Sequence, residues 1–195
     1  MNPAFSICVY CGARDGVPES CTDAARSVGR WIGEHGGQLV YGGGNRGLMG
    51  AVADATLQAG GRVVGVIPQG LVDREMAKRE CTELHIVQSM HERKHLMAER
   101  ADAFLALPGG IGTFEELFEV WTWRQLGYHD KPVGLLDVNG YYQPLLRFLE
   151  TAVAAGFMNA WQMSLLRTGA DVSALLPQLV QAAGESRQRD DLSRI

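Results

Sequence analysis

The segment "QLVYGGGNRGLMG" (38–50) contains the clearest fold signal in the chain. An apolar run leads into three glycines, and residues with helical spacing follow directly. The same succession recurs in "AFLALPGGIGTFEE" (103–116). A strand that passes through a tight glycine turn into a helix is the repeating unit of a parallel α/β sheet.

The rest of the chain repeats this alternation. Near-continuous Val, Ile and Leu runs separated by helical stretches are typical of parallel strands that are covered on both faces. Strands are predicted at 6–12, 38–43, 62–68, 83–89, 103–109 and 132–138, and helices near 20–35, 47–59, 90–101, 113–126 and 142–155. We therefore expect a doubly wound, Rossmann-like α/β fold with a mostly parallel sheet. Residues 1–183 form one nucleotide-binding domain in this prediction, and 184–195 form a flexible polar tail.

Composition excludes several classes of protein. With 195 residues and 46% hydrophobic residues the chain can bury a sizeable core, and its net charge of −4 provides no basic field for nucleic acid. The apolar runs are shorter than the ~20 residues of a membrane span, and the N-terminus lacks the pattern of a secretory signal. Cys8 and Cys11 form a C-x-x-C inside a strand, where they point to opposite faces. We expect a cytoplasmic protein with reduced thiols that binds neither nucleic acid nor membrane.

The first glycine turn suggests an anion site. Its glycines match G-x-G-x-x-G, but a dinucleotide site also needs an acidic residue at the end of the next strand, and 62–68 has none. Glycines let backbone amides approach an anion, and a helix start adds about half a positive charge. The loop is either a turn that packs helix on sheet or a phosphate-facing loop. The phosphate-loop candidates are Gly42, Gly43, Gly44, Asn45 and Gly47.

The second glycine turn combines an anion site with carboxylates. Thr113 is predicted to cap the following helix, with Glu116 completing a capping box. Capping does not require the glycines that precede Thr113, and these clear space around the backbone. A phosphate on this loop would leave Glu115 or Glu116 beside the group that the phosphate carries. The pattern predicts chemistry on a phosphorylated small molecule.

Residues 91–95, "HERKH", match the H-E-x-x-H pattern of a zinc hydrolase. A zinc site needs a third protein ligand, and no other histidine shows a suitable spacing. The alternative uses Arg93 and Lys94, because a guanidinium suits phosphate or a developing negative charge. This segment also follows a predicted strand, so it lies at the same sheet edge as both glycine turns.

Three segments in this order, "YGGGNRGLMG", "MHERK" and "PGGIGTFEE", resemble the Lonely Guy family. Its members are cytokinin riboside 5′-monophosphate phosphoribohydrolases, which were long labelled possible lysine decarboxylases. The resemblance continues through "VWTWRQLGYHDKPVGLLDVNGYY" and spans roughly residues 5–165. It implies hydrolysis of the N-glycosidic bond of a purine nucleoside 5′-monophosphate, without metal or organic cofactor.

The resemblance also assigns roles to residues. It implies that Arg93 and Glu116 are the catalytic pair, and that Glu75, or alternatively Glu80, contacts the substrate. The remaining substrate-binding candidates are Lys94, Gly109, Gly110, Ile111, Gly112, Thr113 and Glu115. Relatives form dimers, and the aromatic residues of 114–123 cannot all face one core, so a homodimer is expected.

Four alternatives to this activity remain open: a zinc hydrolase, a dinucleotide oxidoreductase, a pyridoxal-dependent decarboxylase and a non-catalytic binding protein. A pyridoxal-dependent decarboxylase needs a Schiff-base lysine, and only Lys94 of the three lysines lies near the predicted site. A non-catalytic nucleotide-binding protein could use the same fold, because a fold does not determine chemistry. The presence of both Arg93 and Glu116 favours the enzyme. The sequence does not reveal whether the base is plain or N6-isoprenylated adenine.

Overall fold

The chain folds around one parallel sheet with helices on both faces. The computed structural model describes residues 2–72 and 77–192, with side chains described as far as residue 186. The strands are β1 (Ser6–Tyr10), β2 (Gln38–Tyr41), β3 (Arg62–Pro68), β4 (Glu83–Val87), β5 (Ala103–Ala106), β6 (Val133–Leu136) and β7 (Leu166–Gly169). The helices are α1 (Glu19–Glu34), α2 (Gly47–Gln58), α3 (Met90–Glu99), α4 (Ile111–Gln125), α5 (Gln143–Ala154), α6 (Ala160–Ser164) and α7 (Val172–Leu192).

The described strands form a seven-stranded sheet in the order β4-β3-β2-β1-β5-β6-β7, and every pair is parallel. The predicted fold class is therefore confirmed, as are all six predicted strands. The sequence did not predict β7, because Leu166 is its one buried residue and the strand lacks an apolar run. Such a short edge strand is indistinguishable from a loop by hydrophobic pattern.

Each face of the sheet carries its own hydrophobic core. Helices α1, α2 and α7 cover one face, and α3, α4 and α5 cover the other. Cys8 and Cys11 lie in different cores, as the alternation of side chains along a strand requires. No helix among the described residues has both the length and the apolar character needed to cross a membrane.

The α1–α2 contact depends on glycine. A Cβ atom on Gly29 would lie 2.3 Å from the carbonyl oxygen of Val52, and one on Gly33 would lie 2.5 Å from Cβ of Ala59. The backbones of the two helices therefore approach more closely than any side chain at these positions allows.

The C-terminal helix reaches into the segment that was predicted to be a polar tail. Helix α7 extends to Leu192 and so includes most of the segment that was expected to be a polar tail. The flexibility of residues 184–195 stays a prediction.

The strand order defines where a ligand would bind. From central β1 the chain runs to β2 on one side, and β5 pairs with β1 on the other. Beyond the carboxyl ends of β1 and β5, the two connections diverge and leave a crevice between them. In doubly wound sheets this switch point is the usual ligand site.

Candidate active site

A cavity of about 660 Å³ occupies this switch point. The loop after β1, the glycine turn after β5 and the first turn of α3 provide most of its wall. Residues from the predicted site that line it are Arg93, Gly109, Gly110, Ile111, Gly112, Thr113, Glu115 and Glu116. The structure therefore brings together both predicted catalytic residues and the second glycine turn.

The second glycine turn presents the start of α4 to the cavity. The helix begins at Ile111, its N-cap residue is Gly110, and no side chain caps it. The amides of the first helical turn have no partner within the helix and carry a partial positive charge. This turn can therefore bind an anion.

The prediction that Thr113 caps α4 is wrong. The helix begins two residues earlier, so that Thr113 is its third residue and is 4% exposed. A Cβ atom on Gly109 would lie 2.1 Å from Thr113 Oγ1, which explains why the turn needs glycine there. Because Thr113 is not the N-cap, Glu116 does not complete a capping box with it. Glu116 is instead a half-buried carboxylate on the wall of the cavity.

Helix α3 places Arg93 inside the protein. Ser89 caps this helix by accepting a hydrogen bond from Glu92 N at 3.1 Å. Arg93 is only 5% exposed, and its Nη2 donates to the carbonyl oxygen of Gly42 at 3.1 Å. A Cβ atom on Gly42 would lie 2.0 Å from that nitrogen. The first glycine turn therefore provides both the hydrogen-bond acceptor and the space for the Arg93 guanidinium.

The phosphate-loop candidates lie away from the cavity. Among the described lining residues, none belongs to 42–47. Gly43 packs on β3 with a φ of 77°, and the amide of Gly47 donates to Asp15 Oδ1 at 3.0 Å. Asn45 Oδ1 accepts a hydrogen bond from Lys78 at 3.0 Å. A phosphate-binding role for Gly42, Gly43, Gly44, Asn45 and Gly47 stays a prediction, and their contacts here favour a positioning role.

Lys94 contacts α4 and does not line the cavity. Its Nζ donates to Glu115 Oε1 at 2.5 Å and to Glu119 Oε1 at 2.9 Å. Burial alone would lower the pKa of Lys94, but the hydrogen bonds to these carboxylates outweigh it and raise the pKa. Lys94 is therefore charged and neutralises two acidic groups of α4. Glu75 lies outside the described residues, and Glu80 does not line the cavity.

The charge of Glu116 acts on two buried thiols, Cys8 and Cys11, and the charge of Arg93 acts on Cys8. Burial raises the pKa of Cys8, the charge of Glu116 raises it further, and that of Arg93 lowers it. Burial and then the charge of Glu116 also raise the pKa of Cys11, which lines the cavity. These thiols remain protonated at neutral pH and are poor nucleophiles. Glu116 is therefore the better candidate for the reacting group.

The two histidines of the zinc motif point elsewhere. His91 and His95 lie on the exposed side of α3, whereas Arg93 and Lys94 between them are buried. Within the described parts of the chain, no group of three or more His, Cys, Asp or Glu side chains is arranged to hold a metal ion.

Sequence reasoning missed several residues of the cavity wall. Arg14 follows β1, Met90 precedes Arg93 on α3, and Tyr141 comes from the loop after β6. The rule that ligands bind beyond the carboxyl ends of strands would have indicated Arg14, because it follows the central strand. No sequence pattern marks Tyr141, whose position depends on how the β6 loop packs.

Comparisons with known proteins agree with this architecture. The sequence model of the family described as "Possible lysine decarboxylase" matches residues 49–179. Among solved structures, the Moco carrier protein of Chlamydomonas reinhardtii has a TM-score of 0.70 at 23% identity, with 95% of this chain and 99% of that chain covered. At this identity the similarity shows the fold alone.

Two curated relatives are more similar in sequence. Cytokinin riboside 5′-monophosphate phosphoribohydrolase LOG of Oryza sativa subsp. japonica is 54% identical over 78% of this chain, and the match spans 63% of the rice protein. The LOG3 protein of Arabidopsis thaliana with the same activity in its name is 46% identical over 91% of this chain and 82% of its own length. The chain therefore belongs to the Lonely Guy (LOG) family of cytokinin riboside 5′-monophosphate phosphoribohydrolases, the family whose sequence model is described as possible lysine decarboxylase.

Proposed function

We propose that this protein hydrolyses the N-glycosidic bond of adenosine 5′-monophosphates and releases the free base and ribose 5-phosphate. The observation that carries the proposal is one cavity lined by the Glu116 carboxylate, the Arg93 guanidinium and the uncapped start of α4. The names of the LOG relatives support the same reaction with cytokinin riboside monophosphates.

The 5′-phosphate is proposed to bind at the start of α4. The amides of Gly110 to Thr113 lack intrahelical partners, and the glycines leave the backbone open to a ligand. Binding energy from this remote phosphate can be used to position the ribose at the carboxylate. This explains why a nucleotide and not a nucleoside is the substrate.

Glu116 is proposed to act at C1′ of the ribose. Cleavage of the bond to the base passes through an oxocarbenium-like state, in which the sugar carries positive charge and water attacks. A half-buried carboxylate on the cavity wall can orient that water, accept its proton and stabilise the cationic sugar. General-base assistance of this kind contributes about 10²–10⁴-fold to the rate.

Arg93 is proposed to provide a fixed positive charge. Its side chain is buried and bonded to Gly42 O, so the guanidinium does not need to reorganise when charge develops. It can either hold the nucleotide or offset the negative charge on the departing base. Water, a carboxylate and a guanidinium are sufficient for the reaction, so no cofactor is part of the proposal.

The base is proposed to occupy the apolar part of the cavity. Side chains there come from the loop after β1, from α2, from the turn after β3 and from the two helix starts: Val17, Pro18, Leu48, Met49, Leu71, Met90 and Ile111. Ile111 is 87% exposed, so an apolar group reaching the cavity mouth would bury it. This environment suits an N6-isoprenoid side group on the adenine.

The positions of the lysines argue against a decarboxylase. A pyridoxal enzyme needs a lysine amine in the pocket, and the chain has three lysines, all of them described. Lys78 binds Asp54, Lys94 binds Glu115, and Lys131 donates to the carbonyl oxygen of Ala98. None of the three lines the cavity.

A homodimer and a cytoplasmic location belong to the proposal. Trp121 is buried within the monomer, whereas Phe114, Phe118 and Trp123 on the same helix remain half-buried. Leu126, at the end of this helix, is 57% exposed. A second copy on this side would bury these surfaces, and light scattering on the purified protein tests it.

The test of the activity is incubation with AMP and with N6-isopentenyl-AMP, in the presence of a chelator. Chromatography should show free base from both nucleotides, with faster release from the isopentenyl compound because of the apolar wall. A folded protein that releases base from neither nucleotide would contradict the proposal.

A further inference from the structure

The loop after β6 is packed against the second glycine turn. Asp137 directs this contact, since its Oδ1 accepts a hydrogen bond from Tyr142 N at 2.7 Å and its own amide donates to Gly169 O at 2.8 Å. Asn139 has a φ of 52°, so the loop turns sharply before the two tyrosines. The rings of Tyr141 and Tyr142 meet edge to face with centroids 4.9 Å apart.

Both tyrosine hydroxyls donate to carbonyls of the glycine turn. Tyr142 Oη donates to Leu107 O at 2.6 Å, and Tyr141 Oη donates to Gly109 O at 2.6 Å. Between them, the carbonyl of Pro108 accepts a hydrogen bond from Gly12 N at 3.1 Å. Three consecutive carbonyls of the turn are therefore fixed by donors from two other loops.

The hydrogen bond from Tyr141 to Gly109 O also affects the orientation of the Gly110 amide. A peptide unit is planar and trans, so the carbonyl of Gly109 and the N–H of Gly110 lie in one plane and point in opposite directions. Glycine stands on both sides of this plane, and a Cβ atom on Gly110 would meet nothing within 4 Å. Glycine backbones have more allowed orientations than those of other residues, so the hydrogen bond from Tyr141 to Gly109 O helps to fix this plane.

We infer that Tyr141 is a positioning residue, which holds the Gly109–Gly110 peptide plane so that the Gly110 amide is presented to the 5′-phosphate. The inference rests on the proposed function, which places that phosphate at the start of α4. Tyr141 lines the cavity and is 44% exposed, so its hydroxyl contributes little to the core. Its effect should fall on the affinity for phosphate and not on the stability of the fold.

The experiment compares the wild type with Tyr141→Phe and with Tyr128→Phe as the matched control. Tyr128 is 75% exposed and lies outside this cavity. Calorimetry measures the affinity for ribose 5-phosphate and for adenosine, and steady-state assays measure kcat and KM with AMP. Thermal unfolding shows whether each variant is folded.

Tyr141→Phe should bind ribose 5-phosphate about tenfold more weakly, the effect expected when one hydrogen bond to a charged group is lost. The KM for AMP should rise by a similar factor, while kcat, the adenosine affinity and the unfolding temperature stay close to wild type. Tyr128→Phe should match the wild type throughout.

Other outcomes would overturn the inference. Unchanged affinity for ribose 5-phosphate would show that the hydroxyl does not organise the turn, and equal losses for adenosine would show that it contacts the nucleoside. A fall in kcat alone would place the hydroxyl at the reacting atoms. Failure of the wild type to bind ribose 5-phosphate would also overturn it. Because binding is measured without turnover, a protein that binds ribose 5-phosphate but does not cleave AMP would contradict only the proposed function.

Discussion

Replacing Gly42 with alanine tests whether the first glycine turn fixes the position of the Arg93 guanidinium. The new Cβ atom would lie 2.0 Å from Arg93 Nη2 and 3.1 Å from Cζ, whereas ordinary contacts begin near 3.4 Å. The guanidinium must therefore move by more than an ångström, and it would lose its hydrogen bond to Gly42 O. Gly42 does not have a positive φ, so alanine introduces no backbone strain.

The expected consequence is a large loss of activity in a folded protein. A misplacement of about 1 Å in an active site can cost ~10²-fold in rate, and we expect kcat for AMP to fall by about this factor. Loss of a hydrogen bond from a charged group should lower the free energy of unfolding by about 1.5–3 kcal/mol. Steady-state kinetics and denaturant unfolding measure the two effects.

The control for Gly42→Ala is Gly70→Ala, since a Cβ atom there meets nothing within 4 Å and Gly70 does not line the cavity. This variant should keep the activity of the wild type. If Gly42→Ala is folded and turns AMP over at the wild-type rate, the buried position of Arg93 is not needed for catalysis and our reasoning fails.

Three further variants test separate parts of the account. Glu116→Gln should remain folded and lose nearly all turnover, and substantial residual base release would remove Glu116 from the role proposed for it. Gly29→Ala should lower the unfolding free energy by about 1–3 kcal/mol, because its Cβ atom would lie 2.3 Å from Val52 O, and an unchanged denaturation midpoint would contradict this. Burial lowers the pKa of His129 from 6.5 to about 4, so the unfolded chain binds more protons between these values and stability should fall as pH drops through this window. His129→Gln should weaken that dependence in thermal unfolding, and equal slopes for both proteins would rule the histidine out.

The fold could be predicted from the sequence because its signals are local. Buried strands such as β3 are continuous apolar runs, and the glycine turns mark where strands pass into helices. The edge strand β7 has no such run, and no side chain caps the start of α4. Cap assignment from residue type failed there because the helix begins two residues before Thr113, whose side chain packs against Gly109 and does not cap the helix.

The candidate site was predictable as a set of segments but not as a set of contacts. Both predicted catalytic residues line the cavity, since parallel strands bring their following turns to one edge. One partner of Arg93 is a carbonyl 51 residues away, and Lys94 binds carboxylates 21 and 25 residues away. Such pairings depend on how helices pack on the sheet, which no local pattern encodes. Tyr141 was missed for the same reason.

The most direct test of the account is a single-turnover incubation of the enzyme, in excess, with N6-isopentenyl-AMP. We predict that free base and ribose 5-phosphate appear in equal amounts as the nucleotide disappears, and that Glu116→Gln leaves the nucleotide intact. Recovery of intact nucleotide from the folded wild-type protein would contradict the account.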